Sequence, residues 1–125
     1  MPGVTLDTGA LIAIDRGDRR LQALLDEAGA AGAELAVPAG VIAQAWRGSA
    51  RQARLARFLA LSTVTVVALD EPEARASGTL CGRAGTADVV DASIVICARA
   101  RGHAVVTGDP QDLAALDPYL RLVTL

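Results

Sequence analysis

Short apolar runs alternate with longer amphipathic stretches along the whole chain. Gly3–Leu6 predicts a short buried strand that ends at Asp7. Thr8 is placed to cap a helix carrying Ala10, Leu11, Ile12 and Ile14. Asp18 opens a second helix with Leu21, Leu24 and Leu25 on one face, and glycines between positions 29 and 32 end it. Residues 34–37 form a second strand, which Pro38 stops from continuing as a central one, because proline has no N–H for the ladder. A helix over residues 39–47 follows, with Gly48 as its stop. Ser49 caps the next, whose stripe is Leu55, Phe58 and Leu59 and whose outer side carries Arg47, Arg51, Arg54 and Arg57.

The second half repeats the alternation. Residues 63–69 are the clearest strand, with Val64, Val66 and Val67 among β-branched threonines. Asp70-Glu71-Pro72 opens a helix that the glycines at 82 and 85 interrupt. Thr86 is placed to cap an almost wholly apolar helix that ends at Gly102. A strand over 104–107, a short helix from Asp109-Pro110 and a last strand over 120–125 complete the chain. Strands alternating with helices mean βαβ units, hence an α/β fold with a mostly parallel five-stranded sheet covered on both faces. The strands are short and uniformly apolar, as such a sheet requires.

Composition narrows the picture. At 125 residues the chain reads as a single domain, 1–125, with no internal repeat or linker. A hydrophobic fraction of 52% excludes disorder, and with 2% aromatics the core must be built from Ala, Leu and Val. Every cation is arginine, and the net charge of −2 gives no overall basic footprint for nucleic acid. Cys81 and Cys97 match no zinc or redox spacing and read as buried thiols, which fits a reducing, cytoplasmic setting. The N-terminus shows no signal-peptide pattern, and no apolar run is long enough to span a membrane. His103, alone after Gly102, reads as a surface residue at a helix C-terminus.

The carboxylates carry the chemistry. In open α/β sheets, sites form beyond the carboxyl ends of the strands. Asp7 ends the first strand and Asp109 lies just past the fourth, so both emerge at one edge. Asp88 and Asp91 share a helix face. Each has a plainer reading: Asp109 and Asp7 as helix caps, Asp88 as a first-turn acid favoured by the helix dipole. Asp91 stands amid apolar residues with no capping role. Converging carboxylates repel and raise one another's pKa, which a divalent cation relieves. Oxygen ligands without His or Cys suit Mg²⁺ or Mn²⁺. Such a site suits phosphodiester hydrolysis, since the metal polarises a phosphoryl oxygen and activates water.

Four segments together resemble the PIN-domain family, and within it the VapC-type toxins of bacterial toxin–antitoxin pairs. They are residues 6–13 (LDTGALIA), 37–47 (VPAGVIAQAWR), 88–92 (DVVDA) and 105–109 (VVTGD). The resemblance runs essentially end to end. It implies a PIN-like α/β/α sandwich and a Mg²⁺- or Mn²⁺-dependent endoribonuclease acting on RNA. It also implies a homodimer held inactive by a cognate VapB-like antitoxin whose tail lies over the acidic site. The family's first, third and fourth acids map onto Asp7, Asp91 and Asp109, with Asp88 an extra acid one turn earlier. Gln44 stands where the family usually has glutamate. On this reading Asp7 and Asp91 hold the cation, Asp88 and Asp109 complete the cluster, Gln44 orients a water, and Thr8 and Thr107 hydrogen-bond the carboxylates.

Other readings differ in class. A PIN fold weakened by Gln44 would remain a binding module for an antitoxin-like peptide or RNA. A phosphate-accepting receiver domain needs a lysine, and the chain has none. An aspartyl-phosphate hydrolase wants a second Asp two residues after the first, where Gly9 stands.

Overall fold

The computed structural model describes residues 2–125. Five strands form one all-parallel sheet in the order β3-β2-β1-β4-β5. They are β1 (Gly3–Leu6), β2 (Glu34–Pro38), β3 (Val64–Val67), β4 (Ala104–Thr107) and β5 (Leu122–Thr124). β1 is central: its Thr5 faces Ala36 on one side and Val105 on the other. The seven helices are α1 (Thr8–Asp15), α2 (Arg19–Ala30), α3 (Ala39–Ala45), α4 (Ala53–Leu59), α5 (Glu71–Ala84), α6 (Val89–Arg101) and α7 (Pro110–Leu116).

The chain first builds outward from β1 through β2 to β3, then returns to the far side of β1 for β4 and β5. Right-handed crossovers taken in opposite directions put their helices on opposite faces. Accordingly α2 and α4 pack with α1, and α7 packs with α5 and α6. The short α3 touches both α1 and α6. Leu6, Leu11, Leu35, Val37, Ile94 and Val105 are almost wholly buried between the layers. Each such side chain contributes about 1.5–3 kcal/mol. Phe58 is the one buried aromatic among the described residues. No helix among them is long and apolar enough to cross a membrane.

Several boundaries differ from those the sequence predicts, each for a local reason. Asp7, not Thr8, caps α1, because its carboxylate accepts the Ala10 N–H at 2.8 Å. Asp88, not Thr86, caps α6; the Thr86 hydroxyl instead accepts the Asp88 N–H. α5 runs through Gly82 and stops at Gly85, where φ is +72°. β2 is an interior strand, and Pro38 is its last paired residue, opposite Val67. The missing N–H costs nothing there because α3 begins at the next residue. α3 ends at Ala45, three residues before Gly48. Buried Gln52 takes over at this point: it accepts the Arg47 N–H at 2.8 Å and donates to the Ala45 carbonyl at 2.9 Å. Its amide also reaches Asp15 on α1 at 3.4 Å.

His103 is buried, not at the surface. Its Nδ1 lies 3.1 Å from the Thr5 hydroxyl and its Nε2 3.3 Å from Glu34. Burial holds its pKa below the ordinary histidine value, with Glu34 only partly offsetting this. Asp117 pins α6 to the approach of β5. Burial alone would raise its pKa, but the Arg99 guanidinium at 2.9 Å and the Tyr119 N–H hold it below the usual carboxylate range.

Two outcomes follow for stability. Gln52→Ala strands the part-buried Arg47 N–H and the buried Ala45 carbonyl, so chemical denaturation should show a loss of about 1–2 kcal/mol. For His103, the unfolded chain takes up a proton near pH 6.5 and the folded chain only lower. Its contribution is therefore present above pH 6.5 and lost as pH falls through the folded value. The stability difference between wild type and His103→Asn should shrink between pH 7 and pH 5, as read by urea unfolding at each pH.

Candidate active site

The strand order reverses between β1 and β4, so their carboxyl ends open a crevice where the two chain directions diverge. Asp7 follows β1 directly and is only 5% exposed. A carboxylate this buried must be paired. One oxygen accepts the Ala10 N–H and the other accepts the Gly108 N–H at 3.2 Å, in the turn after β4. That turn lies against α1 so closely that a Cβ on Gly9 would stand 3.2 Å from the Gly108 backbone. The Thr107 hydroxyl accepts the Asp109 N–H at 2.7 Å and fixes the residue that carries the next acid. The Asp109 side chain makes no cap bond to α7, so it is left for another use.

Asp88 and Asp91 stand at the start of α6. Asp91 is the third residue of the helix, and its own N–H is accepted by the Asp88 carboxylate at 3.0 Å. Burial raises the Asp91 pKa. The Asp88 charge, a hydrogen bond with the Asp88 carboxyl, and the charges of Asp112 and Asp109 raise it further, to about 6. Asp88, Asp91 and Asp112 line an open cleft of about 230 Å³ with Thr86 and Leu116. The structure thus brings Asp88, Asp109 and Asp112 within electrostatic reach of Asp91, and ties Asp7 to the turn that carries Asp109. The sequence reads Asp112, three residues after Asp109, as its partner in a capping-box-like pair and not as a site residue; it lies on the first turn of α7, where Asp109 makes no side-chain cap bond.

Gln44 reaches the same edge. It lies on the last turn of α3 and its Oε1 accepts the hydroxyl of Thr8, the first residue of α1. The two threonines therefore serve other partners than the carboxylates: Thr8 bonds Gln44 and Thr107 bonds the Asp109 backbone. Arg47, Arg51, Arg54 and Arg57 are exposed, and among the described residues none is in an ion pair. The Arg47 guanidinium turns back onto the Ala43 and Trp46 carbonyls, and that of Arg54 lies over Gly17.

A cation was tested against this arrangement. Among the described residues no three of His, Cys, Asp or Glu form a ready metal cage. Asp7 and Asp88 are engaged as helix caps. The donor chemistry still fits a hard divalent ion: oxygen atoms only, with a surplus of negative charge that shows in Asp91. Mg²⁺ needs only one or two direct carboxylates and fills its shell with water.

Comparison with known proteins places this geometry. Solved structures share the fold, among them the following three. A toxin–antitoxin complex from Klebsiella pneumoniae has 22% identity, covers 98% of this chain and 97% of its own, and gives a TM-score of 0.72. VapBC2 from Rickettsia felis, bound to a promoter DNA fragment, has 19% identity, 98% coverage of both chains and a TM-score of 0.72. FitAB bound to a DNA fragment has 19% identity, coverage of 97% and 94%, and a TM-score of 0.66. No curated protein matches the sequence significantly. The PIN domain profile matches residues 4–117, nearly the whole chain, and with it the chain belongs to the PIN domain family.

Proposed function

We propose that this chain is a metal-dependent endoribonuclease, the toxin of a VapC-type toxin–antitoxin pair. PIN domains are generally nucleases. The observation that carries the reading is the crowding of Asp91. Asp88, Asp91 and Asp112 line one open cleft, and the charges of Asp88, Asp112 and Asp109 add to burial in raising the Asp91 pKa. Similarity to the Klebsiella and Rickettsia complexes supports an antitoxin partner; a homodimer belongs to the same proposal.

Asp7 and Asp91 are the residues that would hold the cation, with Asp88 and Asp109 completing the shell directly or through water. When bound, the cation supplies Lewis acidity to the phosphoryl oxygen and lowers the pKa of water. The chain supplies the frame. Two backbone N–H groups keep Asp7 fixed. Thr107 holds the turn that presents Asp109. Asp88 and Asp112 keep negative charge beside Asp91, so the site favours a cation before RNA arrives.

The purified chain should cut single-stranded RNA only with Mg²⁺ or Mn²⁺ present. Asp91→Asn should lower cleavage by about a hundredfold or more. The same substitution removes a crowded charge, so it should raise thermal stability, by about 1 kcal/mol above pH 6 after allowing for solvent screening. Loss of cleavage with a gain in stability separates a functional acid from a structural one. Cleavage that survives both chelation and Asp91→Asn would sink the reading.

A further inference from the structure

The acidic site is rich in hydrogen-bond acceptors and poor in donors. No arginine or histidine lines the cleft beside Asp88, Asp91 and Asp112. A phosphodiester brings two anionic oxygens of its own, and it binds where donors meet them. Gln44 supplies what the acids lack. Its Oε1 is occupied by the Thr8 hydroxyl, and Thr8 is bonded in sequence to Asp7. With the oxygen branch of the amide held there, the nitrogen branch points away from Thr8. Gln44 is exposed, so Nε2 presents its two N–H groups to whatever enters from solvent. A glutamate at this position would present a second oxygen instead.

Resting on the nuclease reading above, we propose that Gln44 donates from Nε2 to a non-bridging oxygen of the scissile phosphate, and that Thr8 is the positioning residue that fixes which end of the amide faces the site. The uncharged amide is then a phosphate-recognition group in its own right. It lowers the repulsion that RNA meets at the acidic edge, at the cost of one charge's worth of cation affinity.

The test measures RNA and metal binding separately on wild type, Gln44→Ala, Gln44→Glu, Thr8→Val and Thr8→Ser. A fluorescein-labelled single-stranded RNA oligonucleotide is titrated in chelator and low salt by anisotropy. Mn²⁺ binding is read by calorimetry on RNA-free protein, and thermal unfolding checks the fold. Gln44→Ala should weaken RNA binding by about tenfold and leave Mn²⁺ affinity unchanged. Gln44→Glu should weaken RNA binding further while tightening Mn²⁺ binding. Thr8→Val should weaken RNA binding with no effect on Mn²⁺, and Thr8→Ser should restore it. RNA binding by Gln44→Ala or Gln44→Glu equal to that of wild type overturns the proposal, as does the absence of any metal-free RNA binding by wild type. Because these readouts need no cleavage, the two readings fail separately. If nothing is cut with Mn²⁺ but the Gln44 losses persist, the nuclease reading falls and the phosphate contact stands. If RNA is cut and the losses are absent, the reverse holds.

Discussion

One buried carboxylate joins the two halves of the molecule. Asp7 accepts from the first turn of α1 with one oxygen and from the turn after β4 with the other, 101 residues further on. Both partners are backbone N–H groups, so the link does not depend on flexible side chains. It closes the sheet at the reversal of strand order, between the carboxyl ends of β1 and β4. The close approach of Gly9 and Gly108 follows from it, since each lacks the side chain that would hold the two turns apart.

The junction also explains why the acids gather where they do. Parallel strands deliver their carboxyl ends to one edge, and the loops that leave them open the helices of both layers. Aspartate is favoured at such helix starts as a cap. Asp7 and Asp88 meet that local need. Asp91 and Asp109 do not, since neither side chain caps a helix. Burial first, and then the neighbouring acids, raise the Asp91 pKa to about 6. Stability and function thus oppose each other within one helical turn: Asp88 secures α6 while its charge burdens Asp91.

Much of the fold was legible in the sequence because its signals are local. Apolar runs of four or five residues flanked by Asp, Gly and Pro marked the strands, and β-branched Val64–Val67 stood out among them. Errors came where a distant partner decided. α3 stops at Ala45 because Gln52, not Gly48, satisfies the last groups of the helix. His103 is buried because Thr5 and Glu34, on two other strands, offer it polar partners. Thr8 yields the capping role because Asp7 takes the Ala10 N–H, and its hydroxyl donates instead to Gln44, 36 residues later.

The sequence by itself determined the class of the fold, the alternation of strands and helices, and the short set of aspartates worth suspecting. These rest on periodicity, on turn chemistry and on the cost of charge in an apolar run, all of which act between near neighbours. Only the tertiary structure decided which aspartates are engaged as caps, that Asp112 joins Asp91, and that Gln44 turns its oxygen to Thr8. The reason is physical. Hydrogen-bond direction and electrostatic repulsion depend on distances between groups far apart in the chain, and those distances exist only once the strand order has brought β1 beside β4.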